Sequence, residues 1–453
     1  MLLSLLLAGA NAVSGFSGTA GANVGSGFPV RRSLGEGGSR TNWFMAENDA
    51  AVAIGDDATA AARVLASLTM ARAVMKQVAV VESLPPVRAF AVKNEASLRE
   101  LVPQYWERRG VRPSGASYTG PHAAFIAVRT DIPVAQQFPL LLHEYTHLLT
   151  AAHVPDAPAW LDEGLSGFWG AIVLDGPQVV IGRPPAHHLK LLRTRAWLPP
   201  DEMRAQQRGK LTADSARASM FYAQSWAMVH YLLLGRDSTL SPPFAPADRR
   251  WTPQLAAAVR AYVTRGQFRE VAIQLDPKID VGSGFLVRRS LGEGGSRTEP
   301  HPISEARALA ERASMLVFGE RPDAALPMAR RALSLDSREP LALEVMGTHA
   351  FLHNQPDQAR AWLSRALDAN PDSYTSALYL ALLSSSTPDR ERYLQAAVRA
   401  KPDLAVAWQR LWTLYDEDGR GEQMRRWCRQ LSGLLQPLMS IASTMPCDWQ
   451  GMP

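Results

Sequence analysis

The chain has 453 residues, of which 46% are hydrophobic and 20% are charged, and this composition is typical of a globular protein. Its length predicts more than one domain. The formal net charge of +5 is small against 48 basic and 43 acidic residues. No run of Lys or Arg is interleaved with aromatic residues as nucleic-acid binding would require, so we expect no nucleic-acid partner.

The first 23 residues resemble a secretion signal. They begin with an apolar run that ends in Ala-Asn-Ala at residues 10–12, a pattern typical of signal cleavage. No basic residue precedes Arg31, so the charged start of a standard signal is missing. We predict an exported protein of the periplasm or cell envelope, with a cytoplasmic location as the alternative. This run is too short to span a bilayer, and we expect no transmembrane helix elsewhere.

One segment is present twice. Residues 24–41 read VGSGFPVRRSLGEGGSRT, and residues 281–298 differ from them only by Leu286 in place of Pro29. The two copies are much further apart than the period of a solenoid repeat. We interpret them as a mobile element read twice, which forms a flexible insertion at 24–41 and part of a linker at 278–302.

Helices and strands are predicted to alternate between residues 42 and 133. Apolar residues at helical spacing predict a helix over 57–77, and the apolar runs at 87–92 and 123–128 predict strands. A helix over 94–107 is predicted between these strands, with Asn94 as its cap.

A metal-binding pattern follows. His143, Glu144 and His147 form an HExxH sequence within the apolar run from Phe138 to Thr150. In a helix, residues four apart lie on one face, so the two histidines can reach one metal ion. Glu144 lies beside His143, where a carboxylate can act on a metal-bound water.

Two later segments extend the pattern. Residues 159–166 read AWLDEGLS and contain Glu163 as a third metal ligand, and residues 221–232 read FYAQSWAMVHYL within a helix predicted over 212–234. In this order the three motifs resemble those of gluzincin zinc metallopeptidases, most closely the peptidase-MA-like domains of bacterial envelope proteins. The resemblance covers about residues 42–274.

This resemblance implies an α+β zincin-like catalytic domain over 42–277, with Zn²⁺ as cofactor and a peptide or protein as substrate. His143, His147 and Glu163 would be the zinc ligands, and Glu144 would be the general base. Tyr222 would donate a hydrogen bond to the oxyanion, although it could equally be a packing residue. In such peptidases the strand before the metal helix, here 123–128, forms a sheet edge that pairs with substrate.

Other polar residues are weaker candidates. His230 and Tyr231 lie two helical turns beyond Tyr222 and are secondary choices for the oxyanion donor. Three further histidines are interpreted as surface or loop residues: His122, His187 and His188. Asp162 could orient a ligand histidine or could only cap its helix.

One departure from the family bears on the substrate. Related aminopeptidases carry a Gly-x-Met-Glu-Asn segment whose glutamate binds the free amine of the substrate, and no such segment precedes His143. We therefore favour an endopeptidase over an aminopeptidase. Two alternatives stay open: a non-catalytic scaffold with a vestigial zinc domain, and a zinc hydrolase of a non-peptide amide.

The C-terminal part shows a period of 34 residues. Arg-Pro-Asp at 321–323 and Gln-Pro-Asp at 355–357 are separated by this period, as are the Arg-Ala-Leu sequences at 331–333 and 365–367. The pattern resembles tetratricopeptide repeats and predicts an all-α helical-repeat domain over 303–435 that binds a protein partner. A tail is predicted over 436–453. Cys428 and Cys447 could form a disulfide or remain free thiols.

Overall fold

The computed structural model describes residues 42–48, 51–79, 87–107, 112–120, 123–206, 215–235, 251–276, 299–319, 321–402 and 404–423. Several predictions therefore lie outside the described residues, namely those for the signal-like segment, both copies of the duplicated element, His122, the two cysteines and the tail. The chain divides into two compact units. Unit 1 comprises the described residues of Met1–Asn48, Gly55–Leu84 and Val134–Pro302, and unit 2 those of Asp49–Ile54, Pro85–Pro133 and Ile303–Pro453.

Unit 1 is mainly helical. Its helices are α1 (Ala58–Ala79), α4 (Val134–His153), α5 (Ala159–Gly170), α6 (Ala186–Thr194), α7 (Pro200–Ala205), α8 (Ser215–His230) and α9 (Pro253–Arg265). A π-helix at Tyr231–Gly235 continues α8. Its strands include β1 (Trp43–Asn48) and an antiparallel sheet in the order β6 (Val173–Asp175), β7 (Gln178–Ile181), β8 (Val271–Gln274).

Unit 2 contains β2 (Ala51–Gly55), β3 (Val87–Val92), β4 (Gly115–Thr119) and β5 (Ala124–Arg129), which pair in the order β4-β5-β3-β2. Two short helices, α2 (Glu95–Leu101) and α3 (Gln104–Glu107), lie between β3 and β4. The strand β9 (His301–Ile303) precedes seven helices: α10 (Glu305–Val317), α11 (Ala325–Leu335), α12 (Pro340–Leu352), α13 (Pro356–Ala369), α14 (Tyr374–Leu383), α15 (Thr387–Ala400) and α16 (Ala405–Glu417).

The sheet of unit 2 is mixed. β3 and β5 are parallel, with Ala89 opposite Ile126, whereas β4 and β5 are antiparallel, with Ser117 opposite the same Ile126. β5 is therefore an inner strand with partners on both sides. The expectation that this strand forms a sheet edge is wrong, because β4 occupies the edge position beside it.

The sheet packs against the first of the seven helices. Glu311 of α10 is fully buried, and its carboxylate pairs with Arg88 of β3 and with Arg307. The ring of Phe125 on β5 stacks on Phe318 at a centroid distance of 6.2 Å. Two chain segments that are far apart in sequence thus form one core.

Consecutive helices after α10 pack side by side, and the 34-residue period matches their buried positions. Ala332 on α11 and Ala366 on α13 are 34 residues apart and fully buried, and Ala397 on α15 is buried in the same way. Pro322 and Pro356, also 34 apart, both stand at helix starts, where proline is tolerated because its nitrogen lacks a hydrogen.

Most predicted elements of the catalytic region are present. α1, β3, β5 and α4 match the helices and strands predicted at those positions, and the predicted helix over 94–107 is divided into α2 and α3 just before Pro103. The strands β1, β2 and β4 were not predicted. The general prediction of a mixed α and β region followed by a helix-rich region is confirmed. Within the described ranges, no helix combines the length and apolar character needed to cross a membrane.

Candidate metal centre

The helix α4 carries the HExxH sequence. His143 and His147 are one helical turn apart, and their Nε2 atoms lie 3.2 Å from each other. The two rings meet edge to face with a centroid distance of 4.8 Å. Their neighbours Leu142 and Thr146 are fully buried, but these two side chains keep 27% and 17% of their surface exposed. Both histidines therefore present one nitrogen to a shared, accessible point.

The helix α5 brings the third side chain to this point. α5 begins at Ala159, directly after Pro158, and packs against α4. The Oε2 atom of Glu163 lies 3.7 Å from Nε2 of His143 and 3.6 Å from Nε2 of His147. These three ligand atoms form a group that could hold a metal ion, as the sequence predicted.

The spacing of the three atoms fits a transition metal. Bonds of about 2.0–2.2 Å from a tetrahedral ion to its ligands place the ligand atoms roughly 3.3–3.5 Å apart. The separations of 3.2, 3.7 and 3.6 Å in the triangle are close to that range. Small movements of the side chains would be enough to close the group around an ion.

The ring of His147 is also oriented by a residue of α5. The Nδ1 atom of His147 lies 2.8 Å from Oδ2 of Asp162, whose side chain is fully buried. The backbone of Ser166, also on α5, acts on the His143 ring in the direction that raises its pKa. A carboxylate or carbonyl acceptor fixes the histidine tautomer so that the opposite nitrogen faces the metal. Asp162 thus orients His147, a candidate ligand, which is one of the two roles that the sequence left open.

The two histidines differ strongly in basicity. Burial, and then the charge of His147, lower the pKa of His143 to about 3. Burial also acts to lower the pKa of His147, but Asp162 and Glu163 outweigh it and raise the pKa to about 9. In the absence of a metal, a single proton held near His147 therefore balances part of the carboxylate charge, and a divalent cation would replace that proton.

Two glycines let α5 approach its neighbours closely. A Cβ atom on Gly164 would lie 2.5 Å from the backbone oxygen of Ser225 on α8. A Cβ atom on Gly170 would lie 3.1 Å from Cβ of His143 on α4. The glycine directly after Glu163 is therefore a packing requirement, and it fixes the ligand helix against α8.

Glu144 and Tyr222 lie on two different helices of unit 1. Glu144 is on α4 next to His143 and is buried, with 7% of its surface exposed. Tyr222 is on α8, one turn before the Ser225 contact with α5, and its side chain is half-buried. Its ring packs edge to face against Phe221.

His230 has a structural role. Its Nε2 atom lies 2.8 Å from the carbonyl oxygen of Gly182, and the hydroxyl of Tyr262 lies 2.9 Å from its Nδ1 atom. Because a carbonyl can only accept, Nε2 carries the hydrogen and Nδ1 accepts one from Tyr262. These contacts join α8 to the end of β7 and to α9. His230, a secondary candidate for the oxyanion donor, thus uses both ring nitrogens in the core.

His188 is less exposed than the sequence predicted. It lies on α6 with a half-buried side chain, and its Nδ1 atom is buried without a hydrogen-bond partner among the described residues. The charge of His188 contributes to lowering the pKa of His143, so the two rings are within electrostatic range. Its neighbour His187 is exposed, as predicted for both. No local spacing in the sequence links residues 143 and 188.

The chain matches no model of a known protein family, and a search of curated proteins finds no match to it.

Proposed function

We propose that this protein is a zinc-dependent metallopeptidase of the gluzincin type, and that it cleaves internal peptide bonds. The observation that carries the proposal is the convergence of His143, His147 and Glu163 in front of the buried carboxylate of Asp162. Metal ligands whose outer nitrogen is bound to a buried carboxylate are typical of catalytic and structural zinc sites.

The donor set favours zinc. Two imidazole nitrogens and one carboxylate oxygen are a common set for catalytic zinc, and three protein ligands leave one position open for water or substrate. When bound, zinc lowers the pKa of a water molecule towards neutrality and polarises a carbonyl group. The partial exposure of both histidine side chains gives a substrate access to that open position.

Glu144 is the general base of this proposal. Its carboxylate takes the proton from the attacking water and passes it to the nitrogen of the leaving amine. Its burial keeps bulk water from competing for the proton. Without this residue the ligand set would still bind metal, because Glu144 is not one of the three ligands.

Two residues are candidates to stabilise the oxyanion. Tyr222 is the first, because α8 is held against the ligand helix at Gly164, one turn from this tyrosine. His188 is the second, because its ring acts electrostatically on His143 and has a buried Nδ1 atom without a partner in the described part of the chain. A hydrogen-bond donor at this point is worth about 3–4 kcal/mol to the transition state.

The C-terminal helices are proposed to form tetratricopeptide-like repeats that recruit the substrate or a partner protein. The support is the 34-residue period of buried positions such as Ala332 and Ala366. Export to the cell envelope is part of the same proposal and rests on the signal-like first residues.

The deciding experiment is the substitution Glu144→Gln. The variant should retain zinc, measured by elemental analysis, and should lose peptide cleavage by about 100-fold or more. Glu417→Gln replaces an exposed glutamate of α16 and is the matched control. Unchanged cleavage by the Glu144 variant would exclude the mechanism. A wild-type chain that binds zinc and cleaves no member of a peptide library would favour the scaffold alternative.

A further inference from the structure

A second group of potential metal ligands lies in unit 2. Asp323 is in the short 3₁₀ turn Pro322–Ala324, His349 is near the end of α12, and His353 caps that helix. Their ligand atoms all lie within 4.8 Å of one another. None of the three belongs to the zinc site proposed above, and their helix is one of the repeat-like helices.

The hydrogen bonding of His353 determines which of its ring nitrogens is available to bind a metal ion. Its Nδ1 atom lies 2.9 Å from the backbone oxygen of His349. A carbonyl oxygen can only accept, so Nδ1 carries the hydrogen, and the neutral ring has its lone pair on Nε2. That Nε2 atom lies 3.6 Å from Oδ1 of Asp323. With this tautomer the ring can direct its Nε2 lone pair towards the carboxylate, so either a proton or a metal ion between the two atoms would stabilise the contact.

His349 is the third member of this group of potential ligands. Its Nε2 atom lies 2.7 Å from the same Oδ1 atom of Asp323, and its side chain is 11% exposed. The two imidazole rings are stacked, with a centroid distance of 4.0 Å and an angle of 19° between their planes. Residues four apart on a helix direct side chains to one point, so both Nε2 atoms approach the same carboxylate oxygen.

The donor set selects the class of ion. Imidazole nitrogens with one carboxylate oxygen suit Zn²⁺, Co²⁺, Ni²⁺ or Cu²⁺, whereas Mg²⁺ and Ca²⁺ prefer oxygen ligands. Tetrahedral coordination needs ligand atoms roughly 3.3–3.5 Å apart. The distances of 2.7 and 3.6 Å from the carboxylate oxygen to the two nitrogens are each within roughly 0.6 Å of that range. The side chain of Asp323 is 79% exposed and is free of packing constraints on a shift of this size.

We propose that Asp323, His349 and His353 form a second binding site for a divalent transition metal of the zinc class. The bound ion would join the 3₁₀ turn before α11 to the C-terminal end of α12. It would thereby hold two successive helices of the repeat-like region together. With three protein ligands, one coordination position would remain for water or for a side chain of a bound partner.

The test counts zinc ions on the complete, tag-free chain by native mass spectrometry and elemental analysis. Asp323→Asn and His353→Gln should each bind one zinc ion fewer than the wild-type chain at the same free zinc concentration. Asp323 is so exposed that its substitution cannot disturb a core. His153→Gln is the matched control, because His153 is exposed and its Nδ1 atom bonds the carbonyl of Leu149 as His353 bonds that of His349.

Because the readout is a difference of one ion, it is independent of whether the site at His143 is filled. Zinc should also raise the melting temperature of the wild-type chain more than that of either variant, since an ion that binds only the folded state stabilises it. An unchanged zinc count in both variants would overturn the proposal. So would an equal loss of zinc in the His153 control.

Discussion

Nδ1 of His147 and Oδ2 of Asp162 are 2.8 Å apart, and the aspartate side chain is fully buried. The pair connects the helix that carries two candidate ligands with the helix that carries the third. Asp162→Asn keeps a carbonyl oxygen that can accept the hydrogen bond but removes the negative charge. We expect zinc affinity to fall by about 10–100-fold, because the histidine becomes a weaker electron-pair donor.

Competition with a chelator of known affinity measures this change. Asp175→Asn removes the charge of an exposed aspartate of β6 and should leave the affinity unaltered. Equal affinity of the Asp162 variant and the wild-type chain would show that the contact does not tune the metal site.

Gly164 and Gly167 on α5 allow a matched comparison. A methyl group at Gly164 would approach the backbone oxygen of Ser225 to 2.5 Å, whereas one at Gly167 would meet Trp226 at 3.9 Å, an ordinary contact. Gly164→Ala should destabilise the protein by about 1–3 kcal/mol through overpacking and should weaken zinc binding by moving Glu163. Gly167→Ala should be neutral or stabilising by up to about 1 kcal/mol, since alanine favours helices.

Urea denaturation, with and without zinc, separates the two effects of each variant. If both variants changed stability equally, the interpretation that Gly164 permits the close contact between α5 and α8 would be wrong.

The ion cluster in unit 2 gives a prediction about stability. Burial acts to raise the pKa of Glu311, but Arg88 and Arg307 outweigh it and lower the pKa, so this buried group is charged. Glu311→Gln leaves two guanidinium groups without their carboxylate and should cost about 3–5 kcal/mol. Glu305→Gln, at an exposed position of the same helix, should change the free energy of unfolding by less than about 1 kcal/mol. Chemical denaturation of both variants measures the difference.

We expect the buried His230 side chain to make the folded protein less stable in acid. Burial lowers its pKa from 6.5 to about 4, while the bond to Gly182 acts in the opposite direction. The unfolded chain binds a proton below pH 6.5, whereas the folded chain binds one only near pH 4. Stability should therefore be lost as the pH falls through this interval, by about 3 kcal/mol for this residue.

Denaturation midpoints across this interval, with zinc held at saturation, test the sign. Carboxylates titrate in the lower part of the interval, and Glu270 acts electrostatically on His230. The informative quantity is consequently the difference between the wild-type chain and His230→Gln, which lacks the titrating ring. A pH dependence identical in both would contradict the assignment.

The convergence of His143, His147 and Glu163 could be predicted from the sequence because most of the information lies in short motifs. His143 and His147 are one turn apart in any helix, and the resemblance of Trp-Leu-x-Glu-Gly to a gluzincin motif pointed to Glu163 as their partner. The role of Asp162 remained ambiguous in the sequence, since a residue beside a ligand can cap its helix as well as orient a ligand histidine. Its distance to His147 resolved this, and that distance depends on how α4 and α5 pack.

Features that depend on tertiary packing could not be predicted from local sequence patterns. His188 is half-buried because α6 packs on α8, where its ring lies 6.1 Å from that of Trp226, and no motif in either helix indicates this contact. β4 reads Gly-Ala-Ser-Tyr-Thr, which is short and has no clear alternation of apolar and polar residues. The pairing of Arg88 with Glu311 joins residues more than 200 positions apart, which no local pattern reveals.

The core shared by Arg88, Phe125, Glu311 and Phe318 has a consequence for how the protein is made. The strands of unit 2 leave the ribosome before α10 has been synthesised, and proteins fold as units during synthesis. Until α10 emerges, Arg88 lacks its carboxylate and Phe125 lacks its stacking partner. A shortened chain that ends near residue 277 would keep these surfaces permanently uncovered. Catalytic activity should accordingly be measured on the complete chain.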